Sequence, residues 1–145
     1  MSLASVFNIA AMGMSAQSVR LNTTASNLAN AETVAGSEAE AYKARRPVFV
    51  ATPVGSAGEA DRAGQIRGER FGVMVREIVT TQAAVNRAYE PAHPLADEQG
   101  YVFYSNVNTV EEMADMISAS RAFQMNVEMM NTTKSMMQRL LTLGQ

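Results

Sequence analysis

The side chains that could do chemistry are few. His93 is the only histidine, set between Pro91 and Pro94. With no second histidine and no cysteine it has neither metal-site spacing nor a partner for base catalysis, so it reads as a loop residue. Asp97-Glu-Gln-Gly100 lacks the alternating oxygen ligands and distal glutamate of a calcium loop and reads as a turn. Glu111, Glu112 and Asp115 form an acid cluster, but they open a helical stretch, where the positive end of the helix dipole favours carboxylates. Gly64, Gly68 and Gly72 are evenly spaced, yet no Gly-Lys-Ser/Thr follows and no helix opens there, so no phosphate cradle is expected. Lys43, Arg45 and Arg46 are too few for a nucleic-acid footprint and lack interleaved aromatics. They fit a solvated strand edge or a contact to a neighbouring acidic subunit. No catalytic, cofactor or metal constellation remains, and the chain reads as a non-enzyme.

The elements that hold these residues are more informative. Residues Thr109 to Leu143 carry Met113, Met116, Ser120, Phe123, Val127, Met130, Met137 and Leu141, alternating steps of three and four once Lys134 is counted. That heptad spacing keeps one stripe of a helix against a partner helix. Thr109-Val-Glu-Glu112 reads as a capping box, and Arg139 and Gly144 mark the exit. The partner is the opening stretch, residues 1–30. There Leu3, Phe7, Ala10, Met14, Gln17, Leu21, Thr24 and Leu28 follow the same alternation.

The rest of that first helix is Ser, Thr, Asn and Ala, and Arg20 is the only charged residue among the first 31. A face meant for water is normally rich in Lys and Glu, so this one suits close approach of other helices in a many-subunit assembly. Such a helix has poor propensity, and its order is expected to arrive with packing and assembly. Seven of the eleven methionines follow Val110. Methionine surfaces can accept varied peptides, as an adaptor or export chaperone would use them, but the heptad spacing favours packing between helices. No basic segment precedes the opening stretch, and Asn8 and Gly13 interrupt it, so neither a cleaved signal nor a membrane span is expected.

Between the helices lie connectors and strands. Residues 31–41 read as a turn or extended connector, Pro47–Val50 as a strand, and Thr52–Gly64 as a loop. Phe71–Thr81, Val85–Tyr89 and Tyr101–Tyr104 read as further strands. This middle part holds 18 of the 26 charged residues, which marks it as the part that meets solvent. The net charge of -2 gives no reason to expect nucleic acid or an anionic membrane. The expected architecture is α+β: long N- and C-terminal helices, 1–30 and 109–145, pairing as a coiled coil, with a small antiparallel β module at 31–108.

Four segments then resemble a known family. Ala25-Ser-Asn-Leu-Ala-Asn-Ala31 is similar to the Asn-x-Ala-Asn signature of bacterial flagellar rod, hook and hook-associated proteins. Within that family, Tyr89-Glu-Pro-Ala-His-Pro-Leu-Ala-Asp-Glu-Gln-Gly-Tyr-Val102, Asn106-Val-Asn-Thr-Val-Glu-Glu-Met113 with Met116–Phe123, and Lys134-Ser-Met-Met137 resemble the proximal rod subunits. Ala41 and Ser105 depart from it, standing where the family usually has proline. The resemblance implies a structural subunit of the basal-body rod, exported by the flagellar type III apparatus without cleavage. It also implies terminal helices forming an inner tube with copies of themselves and other rod proteins, and an outer β module. No small-molecule substrate, cofactor, nucleic acid or membrane insertion is implied. On this reading Leu3, Phe7, Met14, Leu21, Leu28, Met113, Met116, Phe123, Val127, Met130, Met137 and Leu141 make helix–helix or subunit contacts. Asn27 and Asn30 break and cap the first helix, and Thr109 and Glu112 cap the last.

Overall fold

A computed structural model describes residues 3–54 and 70–143. Gly64, Gly68 and most of the Thr52–Gly64 loop lie outside the described residues. The elements are α1 (Leu3–Ala29), β1 (Val34–Ala35), β2 (Arg45–Pro53), β3 (Phe71–Thr80), β4 (Asn86–Tyr89), β5 (Tyr101–Tyr104) and α2 (Thr109–Leu143). The two terminal helices pack together, with antiparallel strands between them, as the α+β reading expects. Arg20 meets Asp115 and Gly13 lies beside Asn126, so the helices run antiparallel.

The helix ends are set by asparagines. At the end of α1, Asn30 donates from Nδ2 to the Ser26 carbonyl at 2.8 Å, and its backbone N–H reaches the carbonyls of Ser26 and Asn27. These bonds satisfy carbonyls that the last turn leaves open. At the start of α2, Asn108 Oδ1 accepts the N–H groups of Val110 at 3.1 Å and Glu111 at 3.4 Å, while its carbonyl accepts Glu112 N–H. The cap is therefore Asn108 and not Thr109. A capping residue sits just outside the helical dihedrals, and Thr109 is already the first helical residue. Glu112 is not part of the cap either; its side chain is 3% exposed and lies near Arg46.

The strands form two sheets. β2 and β3 make a long antiparallel ribbon, from Arg45 opposite Thr80 to Pro53 opposite Phe71, with a bulge between Val48 and Phe49. The second sheet has the order β1-β5-β4. Its two-residue strand β1 falls within the connector expected at 31–41, and it pairs with β5, far away in sequence. The turn before β5 closes on Asp97, whose Oδ1 accepts the N–H groups of Gln99 and Tyr101, and on Gly100 at φ 79°. That left-handed conformation favours glycine, and a Cβ there would also lie 2.9 Å from the Tyr89 ring. His93 belongs to the same loop, with Nδ1 accepting the Leu95 N–H at 3.1 Å.

The ribbon lies along α1. At Gly72 a Cβ would stand 2.5 Å from Met12 Sδ, so the missing side chain permits the close approach of strand to helix. The core this produces is built from small residues: Ala10, Ala16, Ala41, Ala44, Val102, Val107 and Ala119 are buried. The largest fully buried side chains among the described residues are Val102, Asn27 and Ser105.

Candidate functional site: the helical seam and its clamp

Along α2 buried Glu112, Ala119 and Thr133, with half-buried Asn126, recur every seven positions. Half-buried Met116, Phe123, Met130 and Met137 alternate with them. Along α1 the matching line is Val6, Ala10, Gly13, Gln17, Arg20, Thr24 and Asn27. Both lines keep the alternation of three and four, so the heptad pairing is present. At every second position, however, the buried line runs one residue ahead of the large apolar residues: Gly13 for Met14, Asn27 for Leu28, Glu112 for Met113, Asn126 for Val127.

The reason is the distance of approach. At Gly13 a Cβ would lie 2.9 Å from both Asn126 Nδ2 and Oδ1, so the amide fills the space that glycine leaves. Asn126 is held there by its own bond from Nδ2 to the Ala122 carbonyl, 2.9 Å. Small and polar residues bring the backbones together, and the bulkier neighbours are turned toward the flanks. Leu3, Met14, Leu21, Leu28 and Val127 are half-buried, whereas Phe7 is 37%, Met113 54% and Leu141 73% exposed. Ile117, Met125, Met129, Met136 and Leu140 are exposed as well. The chain's own folding leaves a large share of its apolar helix surface uncovered.

A charged clamp joins the seam to the ribbon. Arg20 Nη2 meets Asp115 Oδ1 at 2.6 Å across the helices. Arg46 of β2 reaches Asp115 at 3.4 Å, Glu111 at 3.5 Å and Glu112 at 3.8 Å. The acids at the start of α2 are thus matched by two arginines of the same chain, in addition to the helix dipole. Arg46 is itself exposed, and ion pairs at such a side chain contribute at most about 1 kcal/mol each, so its contacts serve mainly to orient the ribbon.

Asn27 supplies the stronger link. It is 1% exposed, donates from Nδ2 to the Arg45 carbonyl at 2.8 Å, and accepts from the Arg45 N–H at 2.9 Å and the Tyr42 hydroxyl at 3.0 Å. It grips β2 as another strand would, while Asn30 alone closes the helix. Asn106 ties the residue before β2 to the segment after β3, accepting the Ala44 N–H at 2.8 Å and donating to the Ala83 carbonyl at 2.8 Å.

Sequence reasoning missed Asn106, Asn108, and the pairs Arg20–Asp115 and Gly13–Asn126. The one available signal was Arg20 itself: a lone charge on an otherwise uncharged helix needs a partner. Among the described residues no group of His, Cys, Asp or Glu is arranged to hold a metal ion. No described helix is long and apolar enough to cross a membrane.

Two antiparallel terminal helices, joined through a small seam and carrying apolar residues on their outer faces, are an arrangement suited to a structural subunit. Comparison with known proteins agrees. Residues 7–36 match the family model described as flagella basal body rod protein, and residues 98–143 match that of the flagellar basal body rod FlgEFG protein C-terminal region. The chain is 46% identical to the flagellar basal-body rod protein FlgC of Salmonella typhimurium, with both chains covered in full. It is 44% identical to the protein of that name from Escherichia coli O6:H1, also over the whole of both chains. It is 36% identical to that of Borreliella burgdorferi, covering 100% of this chain and 99% of the relative. The chain belongs to the FlgC family of flagellar basal-body rod proteins.

Proposed function

We infer that the chain is a structural, non-enzymatic subunit of the bacterial flagellar basal-body rod. Its terminal helices build an inner tube with copies of itself and with other rod proteins, and its β module lies outside them. The observation that carries this reading is the division of the helix surfaces. A close, small-residue seam fixes each hairpin internally, while Phe7, Met113, Ile117 and Met125 remain exposed for neighbours. Stiffness under torque then follows from packing on both sides of each helix, with the clamp tying the outer module to the tube. Residues 1–30 and 109–145 form the inner part and residues 31–108 the outer part. The chain reaches the periplasmic rod through the flagellar type III export apparatus without loss of a signal peptide.

The test uses the full chain in a flagellated host lacking its own FlgC. Phe123 is half-buried between seam and flank. Phe123→Asp is expected to leave export intact, read as chain recovered outside the cytoplasm, and to abolish rod assembly and swimming. Normal motility of that variant would sink the reading.

A further inference from the structure

The clamp encloses a cleft of about 380 Å³ where α1, the start of α2 and β2 meet. Its charged and polar lining is Arg20, Thr24, Arg46, Glu112 and Asp115, while Pro47 and Phe49 supply apolar surface. Arg45 lines it too, but its guanidinium is turned to the Tyr42 ring, 5.7 Å from the centroid, since successive residues of a strand point to opposite faces.

Two polar groups in this cleft are buried without a donor or acceptor of their own. Glu112 is 2% exposed, yet its carboxylate accepts no hydrogen bond among the described residues. Its nearest cation, Arg46 at 3.8 Å, is beyond hydrogen-bond distance and is shared with Asp115 at 3.4 Å and Glu111 at 3.5 Å. Arg20 is engaged by Asp115 at 2.6 Å. Asn108 takes the first N–H groups of α2, so none of those reaches Glu112 either. Thr24 is 4% exposed, and its hydroxyl makes no hydrogen bond among the described residues, whereas the neighbouring Thr23 donates to the Val19 carbonyl at 2.8 Å. A buried carboxylate is costly to keep without donors, so the cleft favours a group that brings them.

We propose that the cleft receives the side-chain ammonium of a lysine from a neighbouring rod subunit. Glu111, Glu112 and Asp115 set three carboxylates against the two guanidiniums of Arg20 and Arg46, which leaves one negative charge over. An ammonium carries three donors, and the two Glu112 oxygens and the Thr24 hydroxyl offer three acceptors. Pro47 and Phe49 pack against the methylene stem. A planar guanidinium pairs with one carboxylate and leaves Thr24 without a partner. An incoming carboxylate would face Glu112 directly. The chain does not supply the ammonium itself: of its two lysines, Lys43 makes no ion pair among the described residues, and Lys134 stands about 30 Å from Asp115 along α2. The contact ties both helices, the ribbon and a neighbour together at one point. The proposal rests on the rod-subunit reading and adds the chemistry of one subunit contact.

The test uses the full chain in the flagellated host lacking its own FlgC. An electron cryomicroscopy reconstruction of isolated basal bodies should show a lysine of an adjacent subunit with its Nζ about 3 Å from the Glu112 carboxylate. Glu112→Gln keeps the shape and removes the charge, and should lower the chain retained in basal bodies after a high-salt wash at least about tenfold. The same substitution should leave the urea midpoint of the free chain unchanged or higher, because there Glu112 has no donor to lose. Thr24→Val should lower retention less, and Thr24→Ser should leave it near the unaltered level. The proposal is overturned if the cleft holds an acidic or apolar side chain, a residue of the same chain, or no side chain of a neighbour. It is equally overturned if Glu112→Gln is retained like the parent, or lowers retention and the urea midpoint together. Absence of the unaltered chain from basal bodies overturns the rod reading as well, whereas its presence with the cleft otherwise filled overturns this contact alone.

Discussion

Changing Gly13 to alanine sets two effects of opposite sign against each other. At an ordinary helix position the change stabilises by about 1 kcal/mol, because glycine loses more backbone freedom on folding. At Gly13 the new methyl would lie 2.9 Å from both amide atoms of Asn126 and 3.0 Å from its Cγ. Asn126 can move aside only by giving up its bond to the Ala122 carbonyl, a loss of about 1 kcal/mol. Overpacking of a closed interface costs about 1–3 kcal/mol more. The sum is a net destabilisation of about 1–3 kcal/mol. Equilibrium urea unfolding of the full chain, followed by circular dichroism, should show a lower midpoint at unchanged slope for Gly13→Ala. The same ranking is expected for the urea concentration that strips the chain from isolated basal bodies. Asn126→Ala in the same chain removes the obstruction, so the double variant should show a coupling of at least about 1 kcal/mol. A Gly13→Ala chain more stable than the parent, or a coupling near zero, would refute the close-seam argument.

Three further outcomes follow from individual contacts. Asn27→Ala leaves the Arg45 N–H and carbonyl and the Tyr42 hydroxyl without their partner, and should cost about 2–4 kcal/mol in the same unfolding assay. Asn108→Ala should cost about 1 kcal/mol and Thr109→Ala only a few tenths, because the first removes the cap and the second a residue already in the helix; the reverse order would restore Thr109 as the cap. The Tyr104 phenol donates to Glu90 Oε1 at 2.9 Å, and this bond, followed by desolvation and the Glu90 charge, raises its pKa above the ordinary 10.0. The folded-state value is the higher one, so the contribution is present below the unfolded pKa and is lost as pH rises through the folded value. Ultraviolet titration should show a late-ionising tyrosine that disappears in Tyr104→Phe and returns toward the ordinary value in Glu90→Gln. A profile unaffected by Glu90→Gln would contradict this assignment.

The long helices were legible in the sequence because their period is strong and their ends are marked by polar residues. The rotation of each helix was not. Hydrophobic spacing favours the line Phe7, Met14, Leu21, Leu28, because a stripe of large apolar residues normally faces the core. The observed line keeps Ala10, Gln17 and Thr24 of the expected one, but Gly13, Arg20 and Asn27 take the places of Met14, Leu21 and Leu28, and these three contain little that such a pattern detects. The β module shows a related limit. Individual strands could be placed from local composition, but the pairing of β1 with β5 and the separation of the ribbon from the second sheet depend on contacts distant in sequence. Asn27, Asn106 and Asn108 carried no periodic signal, since each acts through a few hydrogen bonds to backbone groups that only the fold brings near.

The shift of the seam has a consequence for what the sequence encodes. If the large apolar residues closed the intramolecular pair, the chain would be a self-sufficient helical hairpin with a polar exterior. With Gly13, Asn126 and the Arg20–Asp115 pair in the seam, the hairpin is held by close approach and polar contacts. Exposed Phe7, Met113, Ile117, Met125 and Met129 are then left with apolar surface whose burial can stabilise only an assembly. The same residues cannot serve both interfaces at full value. On the proposed rod reading, substitutions at Leu21, Phe123 and Met130, of intermediate burial, should weaken folding and assembly together, whereas substitutions at exposed Ile117 or Met125 should weaken assembly alone.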